Sequence, residues 1–220
     1  MDYRIKMTKD ILYDEEYHKS RHGIFLRDPK KIYQKQQEAE EKIWTHLRGV
    51  NGKVLEIGCG LGENIMAHPN TTGIDISEFI VSEARKRGVN ALVMDAKNLK
   101  FKNKEFSGII MSHMLEHFEN PAIILKNVHK LLKKNGRLVI CVPNPYFMQD
   151  KTHLYCWRPE TLKNLLGQCG FKVINWEWYA KTNLYTKKFV YEVGYRLLKI
   201  LTHLFSVPNF LQFTIVAIKT

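Results

Sequence analysis

The sequence predicts an α/β protein: a mostly parallel sheet of seven strands with helices on both faces. Three observations carry that expectation. Short apolar runs alternate along the chain with segments of helical spacing, the pattern of strand–helix units rather than of hairpins. The first run, Val54-Leu55-Glu56-Ile57, has the apolar, β-branched character of a buried parallel strand. It then enters three glycines at alternate positions, Gly58, Gly60 and Gly62. Glycine is needed where the backbone turns tightly or where a ligand must approach without a Cβ in its way.

Residues 1 to 30 are polar and irregular, but Tyr3, Tyr13, Tyr17 and the Ile11-Leu12 pair predict a segment that folds over something rather than a free tail. From Pro29 to Leu47 the spacing is helical, with Ile32, Gln36, Ala39, Ile43 and Leu47 on one face and Asp28 as the cap. Gly49 and Asn51-Gly52 turn the chain into the first strand. A short helix is expected after the glycine loop, stopped by Pro69. Gly73-Ile74-Asp75 ends the second strand, and Ser77 is placed to cap a helix that ends at Arg87-Gly88. Residues 89 to 94 give the third strand and Gly108 to Met111 the fourth. A helix runs from Pro121 through Leu132, stopped by Asn135-Gly136, and Arg137 to Val142 is the fifth strand. A helix over Thr161 to Gln168 leads to the sixth strand, Phe171 to Trp176, and Phe210 to Lys219 makes the seventh. Between the last two lies a helical insertion, 181–207. Phe189, Val193, Leu197, Ile200 and Leu204 share one of its faces, and Lys187, Lys188, Arg196 and Lys199 supply the polar side.

With 220 residues a single domain is expected: a cover and helix over 1–48, a core over 49–180, the insertion and the last strand over 208–220. Hydrophobic residues make up 45% and charged residues 25%, the proportions of an ordinary soluble chain. The formal net charge of +12 points either to an anionic partner (RNA, an acidic membrane surface, a phosphorylated substrate) or simply to solubility. Cys59, Cys141, Cys156 and Cys169 form no C-x-x-C pair and no secreted framework, so free thiols in a reducing cytosol are expected. No signal sequence and no bilayer-spanning stretch is visible, which places the chain in the cytoplasm, at most peripheral to a membrane.

A dinucleotide fingerprint would put its third glycine at position 63, which is Glu63; here it falls one residue early, at Gly62. An acid, Glu56, precedes the first glycine by two residues. Asp75 and Asp95 end the next two apolar runs. This ordered set, over roughly residues 45 to 175, resembles the class I S-adenosylmethionine-dependent methyltransferases, with their Rossmann-like fold. The resemblance implies that Gly58, Cys59, Gly60 and Gly62 form the cofactor loop and that Glu56 orients the loop or the methionine amino group. It further implies Asp75 with Ile76 at the ribose, Asp95 with Ala96 at the adenine, and Arg21 within reach of the cofactor carboxylate from an N-terminal cover.

Methyl transfer from a sulfonium needs alignment and exclusion of water, and a base only where the acceptor is protonated. His113 and His117 follow the fourth strand and His153 lies in a further candidate stretch, Asp150 to Tyr155, so His117 with His113 or His153 is the expected base. Ser112 to His117 also contains the letters H-x-x-E-H of a zinc peptidase, a reading the glycine loop disfavours. Ubiquinone-type O-methyltransferases and terminal small-RNA 2′-O-methyltransferases carry E-x-x-E-H here and bind a divalent ion. This chain keeps Glu116 and His117 but has His113 for the first glutamate, and hard ions prefer oxygen donors, so no metal is expected. Ser107 stands where similar enzymes often carry aspartate. The run from Pro143-Asn144 through His153-Leu154-Tyr155 to Gly170-Phe171 resembles a broad group acting on small molecules, lipid precursors or sugars. An O-directed methyltransferase of a small or lipid-linked acceptor is the resulting expectation, with 181–207 beside the acceptor or on a membrane. An RNA methyltransferase and a catalytically silent cofactor-binding scaffold are the rivals.

Overall fold

The computed structural model describes residues 15–144, 152–180 and 210–220. Helix α1 spans Glu15–Arg27 and helix α2 spans Pro29–Ala39. From residue 15 onward the N-terminal cover is thus helical rather than irregular, in line with the helical cover expected there. Asp28 caps α2 as the sequence predicts, its side chain accepting from the Lys30 N–H, with Pro29 in the first turn. The helix does not continue uniformly to Leu47. Glu40–Trp44 forms a π-helical turn before a last α turn, Thr45–Leu47.

Strands β1 (Val54–Ile57), β2 (Thr71–Asp75), β3 (Ala91–Val93), β4 (Phe106–Ser112), β5 (Leu132–Pro143), β6 (Phe171–Ala180) and β7 (Phe210–Lys219) form one sheet among the described residues. Its order is β3-β2-β1-β4-β5-β7-β6. The first five strands pair in parallel, and β7 runs antiparallel between β5 and β6. β1, between β2 and β4, is buried at all four positions. Helix α3 (Glu78–Lys86) packs with α2 on one face, where Ile43, Ile80 and Ala84 meet Val54, Ile110 and Val139. Helices α4 (Pro121–Leu131) and α5 (Pro159–Gln168) cover the other, where Leu125, Val128 and Leu162 meet Leu55, Ile109 and Ile140. Successive residues of β1 and β4 thus serve opposite faces, as the two-residue period of a strand requires.

Two further expectations fail locally. No helix follows the glycine loop: residues 63–70 form turns, Asn70 closing them at φ 60°. The six residues between Gly62 and Pro69 are too few to offset the cost of helix nucleation. The stop at Asn135-Gly136 does not separate α4 from β5 but lies inside β5, with Asn135 at φ 61° and a register shift against β4 between Phe106 and Gly108. The strand therefore begins at Leu132. Ser107 is buried, and a Cβ on Gly52 would collide with its hydroxyl, so the serine packs directly against a glycine. The expected insertion 181–207, residues 1–14 and the stretch 145–151 lie outside the described residues.

Candidate active site

All three glycines of the loop have positive φ: 73° at Gly58, 53° at Gly60 and 79° at Gly62. The amides of Gly58 and Cys59 donate to the Ile74 carbonyl, at 2.8 and 2.9 Å, which fastens the loop across the end of β2. Asp75 closes it: one carboxylate oxygen accepts from the Gly60 N–H at 3.1 Å and the other from the Ser77 N–H at 3.2 Å. Ser77 itself makes no capping bond to α3. A Cβ at Gly58 would lie 2.6 Å from the Met114 sulfur, so loop and β4 end touch across the cavity floor.

Beyond the carboxyl ends of β1, β2 and β4 lies a cavity of about 450 Å³, of the size usual for small-molecule sites. Of the residues singled out in the sequence, Gly58, Cys59, Gly60, Asp75, Ile76, Asp95 and Ala96 line it, and so do His113, His117 and His153. Glu56 and Gly62 do not line it. Glu56 is fully buried behind the loop, where one carboxyl oxygen accepts from the Asn64 amide at 2.6 Å and the other has no partner. Burial pushes its carboxyl well above the ordinary carboxylate range. Glu56 thereby holds Asn64, which does line the cavity. The side chain of Arg21 lies outside the described residues, although its backbone belongs to α1.

The histidine end is built around Glu116, on a 3-10 turn, Leu115–His117. Its carboxylate is fully buried without a hydrogen-bond partner, and burial pushes its pKa up to about 8. His113 Nδ1 and His153 Nε2 stand 3.7 and 3.9 Å from it, beyond direct hydrogen-bond range. The backbone carbonyl of Glu116 accepts from the amides of Leu154 and Tyr155, tying the stretch that bears His153 to this turn. His117 Nδ1 lies 3.1 Å from the Thr152 carbonyl, which can only accept. The ring therefore donates from Nδ1, and Nε2 is its basic nitrogen.

His113 sits in the left-handed region, φ 52°, unusual for a side chain of this size. Its Nε2 meets the Gln212 side-chain oxygen at 2.7 Å. With the amide in that orientation, Nε2 donates and Nδ1 is left basic. Burial, and next the charge of Lys42, lower its pKa to about 4. Since 36% of the side chain stays accessible, water offsets part of this, but the direction holds: the ring is neutral at pH 7.

Sequence reasoning missed Lys35, Lys42, Asn64 and Gln212. The two lysines are seven residues apart on α2 and its π turn, a spacing that puts side chains on one helical face. Glu116, His117 and His153 each offer a ligand atom, all within 4.8 Å of one another, a set that could hold a metal ion.

Residues 33–175 match the methyltransferase domain family. A protein of Methanocaldococcus jannaschii, MJ1123, is 30% identical over 128 residues, 58% of each chain. The O-methyltransferase rstn1 of Aspergillus nomiae is 31% identical over 158 residues, 60% of this chain and 70% of the other. The match to MJ1123 thus spans little more than half of that relative's length. A SAM dependent methyltransferase from Archaeoglobus fulgidus shares the fold, with a TM-score of 0.69 at 21% identity, covering 92% of this chain and all of that one.

Proposed function

The chain belongs to the S-adenosylmethionine-dependent methyltransferases, and on that premise we propose that it methylates an oxygen of a small or lipid-linked acceptor. One observation carries the reading: a single cavity has the glycine loop, Asp75 and Asp95 on one side and three histidines on the other. The residues fit the cofactor. Positive φ at the loop glycines keeps side chains off the cavity floor, and the acids at the ends of β2 and β3 suit ribose and adenine.

S-adenosylmethionine supplies an electrophilic methyl group on a sulfonium. The chain's own residues align, exclude water and take a proton. His117 is the first choice as base, because its bond to Thr152 fixes both the ring and the basic nitrogen. His113 is the second, held neutral and fixed by Gln212. In this reading the histidines act without a resident metal, because a histidine replaces one carboxylate of the hard-ion pattern. The lipid-linked part of the reading, and a peripheral membrane contact, rest on the sequence spacing of 181–207. The O-methyltransferase relative supports transfer to oxygen.

The test uses methyl-labelled cofactor with fractionated cell extract. Label is expected in the small-molecule or lipid fraction, unaffected by a chelator. His117→Ala is expected to lower it by about 10²–10⁴-fold without changing affinity for S-adenosylhomocysteine. Loss of label with chelator would move the site to the metal set around Glu116. The net charge of +12 favours a second reading, RNA as acceptor. In that case label enters the RNA fraction and binding weakens steeply with salt. Cofactor binding with no label in any fraction would identify the silent scaffold instead.

A further inference from the structure

Lys42 is 5% exposed and lines the cavity, yet among the described residues it makes no hydrogen bond or ion pair. A buried ammonium in that position is costly unless something supplies an opposite charge. Lys35, which lines the same cavity, is already paired with Glu38 at 3.0 Å. We propose that Lys42 is an anion anchor at the acceptor end of the cavity, so that the acceptor carries a carboxylate or phosphate group. The inference rests on the methyltransferase reading and narrows its substrate class.

Position favours the acceptor over the cofactor as the source of that anion. Of the cavity's acids, Asp75 and Asp95 stand at the ends of β2 and β3, on the nucleoside side, where Lys97 also lines the wall, and Glu63 follows the glycine loop. Lys42 projects from the π turn over the other side. Its charge reaches His113, after β4, and Cys141 of β5, as well as Glu56 of β1. An anion there meets the ammonium, and an amine would meet like charge. Anionic acceptors are therefore favoured and cationic ones rejected by the same residue.

The experiment is calorimetry on the full chain with S-adenosylhomocysteine, which has a carboxylate, with 5′-methylthioadenosine, which has none, and with inorganic phosphate or acetate added to the S-adenosylhomocysteine complex. Phosphate or acetate is expected to bind that complex. Lys42→Met should weaken the anion about tenfold or more while leaving S-adenosylhomocysteine within about twofold. Lys42→Arg should retain anion binding, which separates charge from folding. A selective tenfold loss of S-adenosylhomocysteine affinity in Lys42→Met, with 5′-methylthioadenosine unchanged, would overturn the proposal by assigning Lys42 to the cofactor carboxylate. Anion affinity unchanged in Lys42→Met, or absent from the wild-type complex, would also overturn it. If wild-type protein binds neither nucleoside, the methyltransferase reading itself fails, and phosphate binding to the free chain still decides the anchor.

Discussion

Gly62→Ala should damage the fold without touching the cofactor surface, since Gly62 does not line the cavity. The position has φ 79°, and an added Cβ would lie 2.6 and 2.7 Å from the two methyl carbons of Val89, a buried and β-branched neighbour. Left-handed backbone costs an alanine about 1–2 kcal/mol. Overpacking a stiff neighbour adds about 1–3 kcal/mol. The sum, roughly 2–5 kcal/mol, lowers Tm by about 4–20 °C in a chain of this size. Gly49→Ala is the control: φ is 78°, but nothing lies within 4 Å of the new Cβ, so only the backbone cost of about 1–2 kcal/mol applies. Denaturant unfolding of both variants, and of Gly62→Ala combined with Val89→Ala, isolates the collision. The double variant should be more stable than the sum of the single effects by about 1–3 kcal/mol. If Gly62→Ala costs no more than Gly49→Ala, or the cycle is additive within about 0.5 kcal/mol, the contact is not what forbids a side chain here.

Asp75→Ala removes the acceptor of the Gly60 and Ser77 amides, and should weaken S-adenosylhomocysteine binding by about 1–3 kcal/mol in calorimetry; unchanged affinity would mean that the loop holds its shape without it. His113 gives a pH signature. Its folded pKa, lowered to about 4, lies below the unfolded value near ~6.5, so between these values the unfolded chain binds the extra proton. Its contribution is thus a loss of stability that develops as pH falls from about 6.5 towards about 4 and is absent above that window. Tm of His113→Gln should fall less steeply than that of the parent across this range; parallel curves would show that the ring is not held neutral.

The glycine loop, Asp75 and Asp95 were legible in the sequence because each follows directly from its own strand. His113 and His117 were legible for the same reason, standing just after β4, and His153 as one of the few such groups in the stretch that follows β5. Lys42 was not, because its spacing from Lys35 shows only a shared helical face, and a lysine there reads first as solvated until the packing of that face over the cavity is known. Gln212 was not, because it lies 99 residues from the His113 it holds, and only the antiparallel placement of β7 beside β5 brings them together. Glu56 was placed near the right group but not at the cavity surface, since one strand position decides whether a side chain looks out or down. Boundaries failed where a left-handed asparagine did not end an element: Asn135 bends β5 instead of stopping α4.

The π turn at Glu40–Trp44 also sets a phase. One residue advances an α-helix by about 100°, so a single extra position taken up as a wider turn re-clocks everything before it against everything after it. Ile43 and Leu47 are keyed into the core beneath, and Trp44 is pinned by its bond to the Asn64 carbonyl and its stack on His68. The downstream side of the joint therefore cannot rotate. Deleting one residue from it would instead swing the upstream helix through about a quarter turn, carrying Lys35 off the cavity wall and turning α1 with it. In such a chain the loop and the sheet would be intact while the cover over them faced the wrong way, so a one-residue deletion here would act as a switch of orientation rather than as a loss of structure.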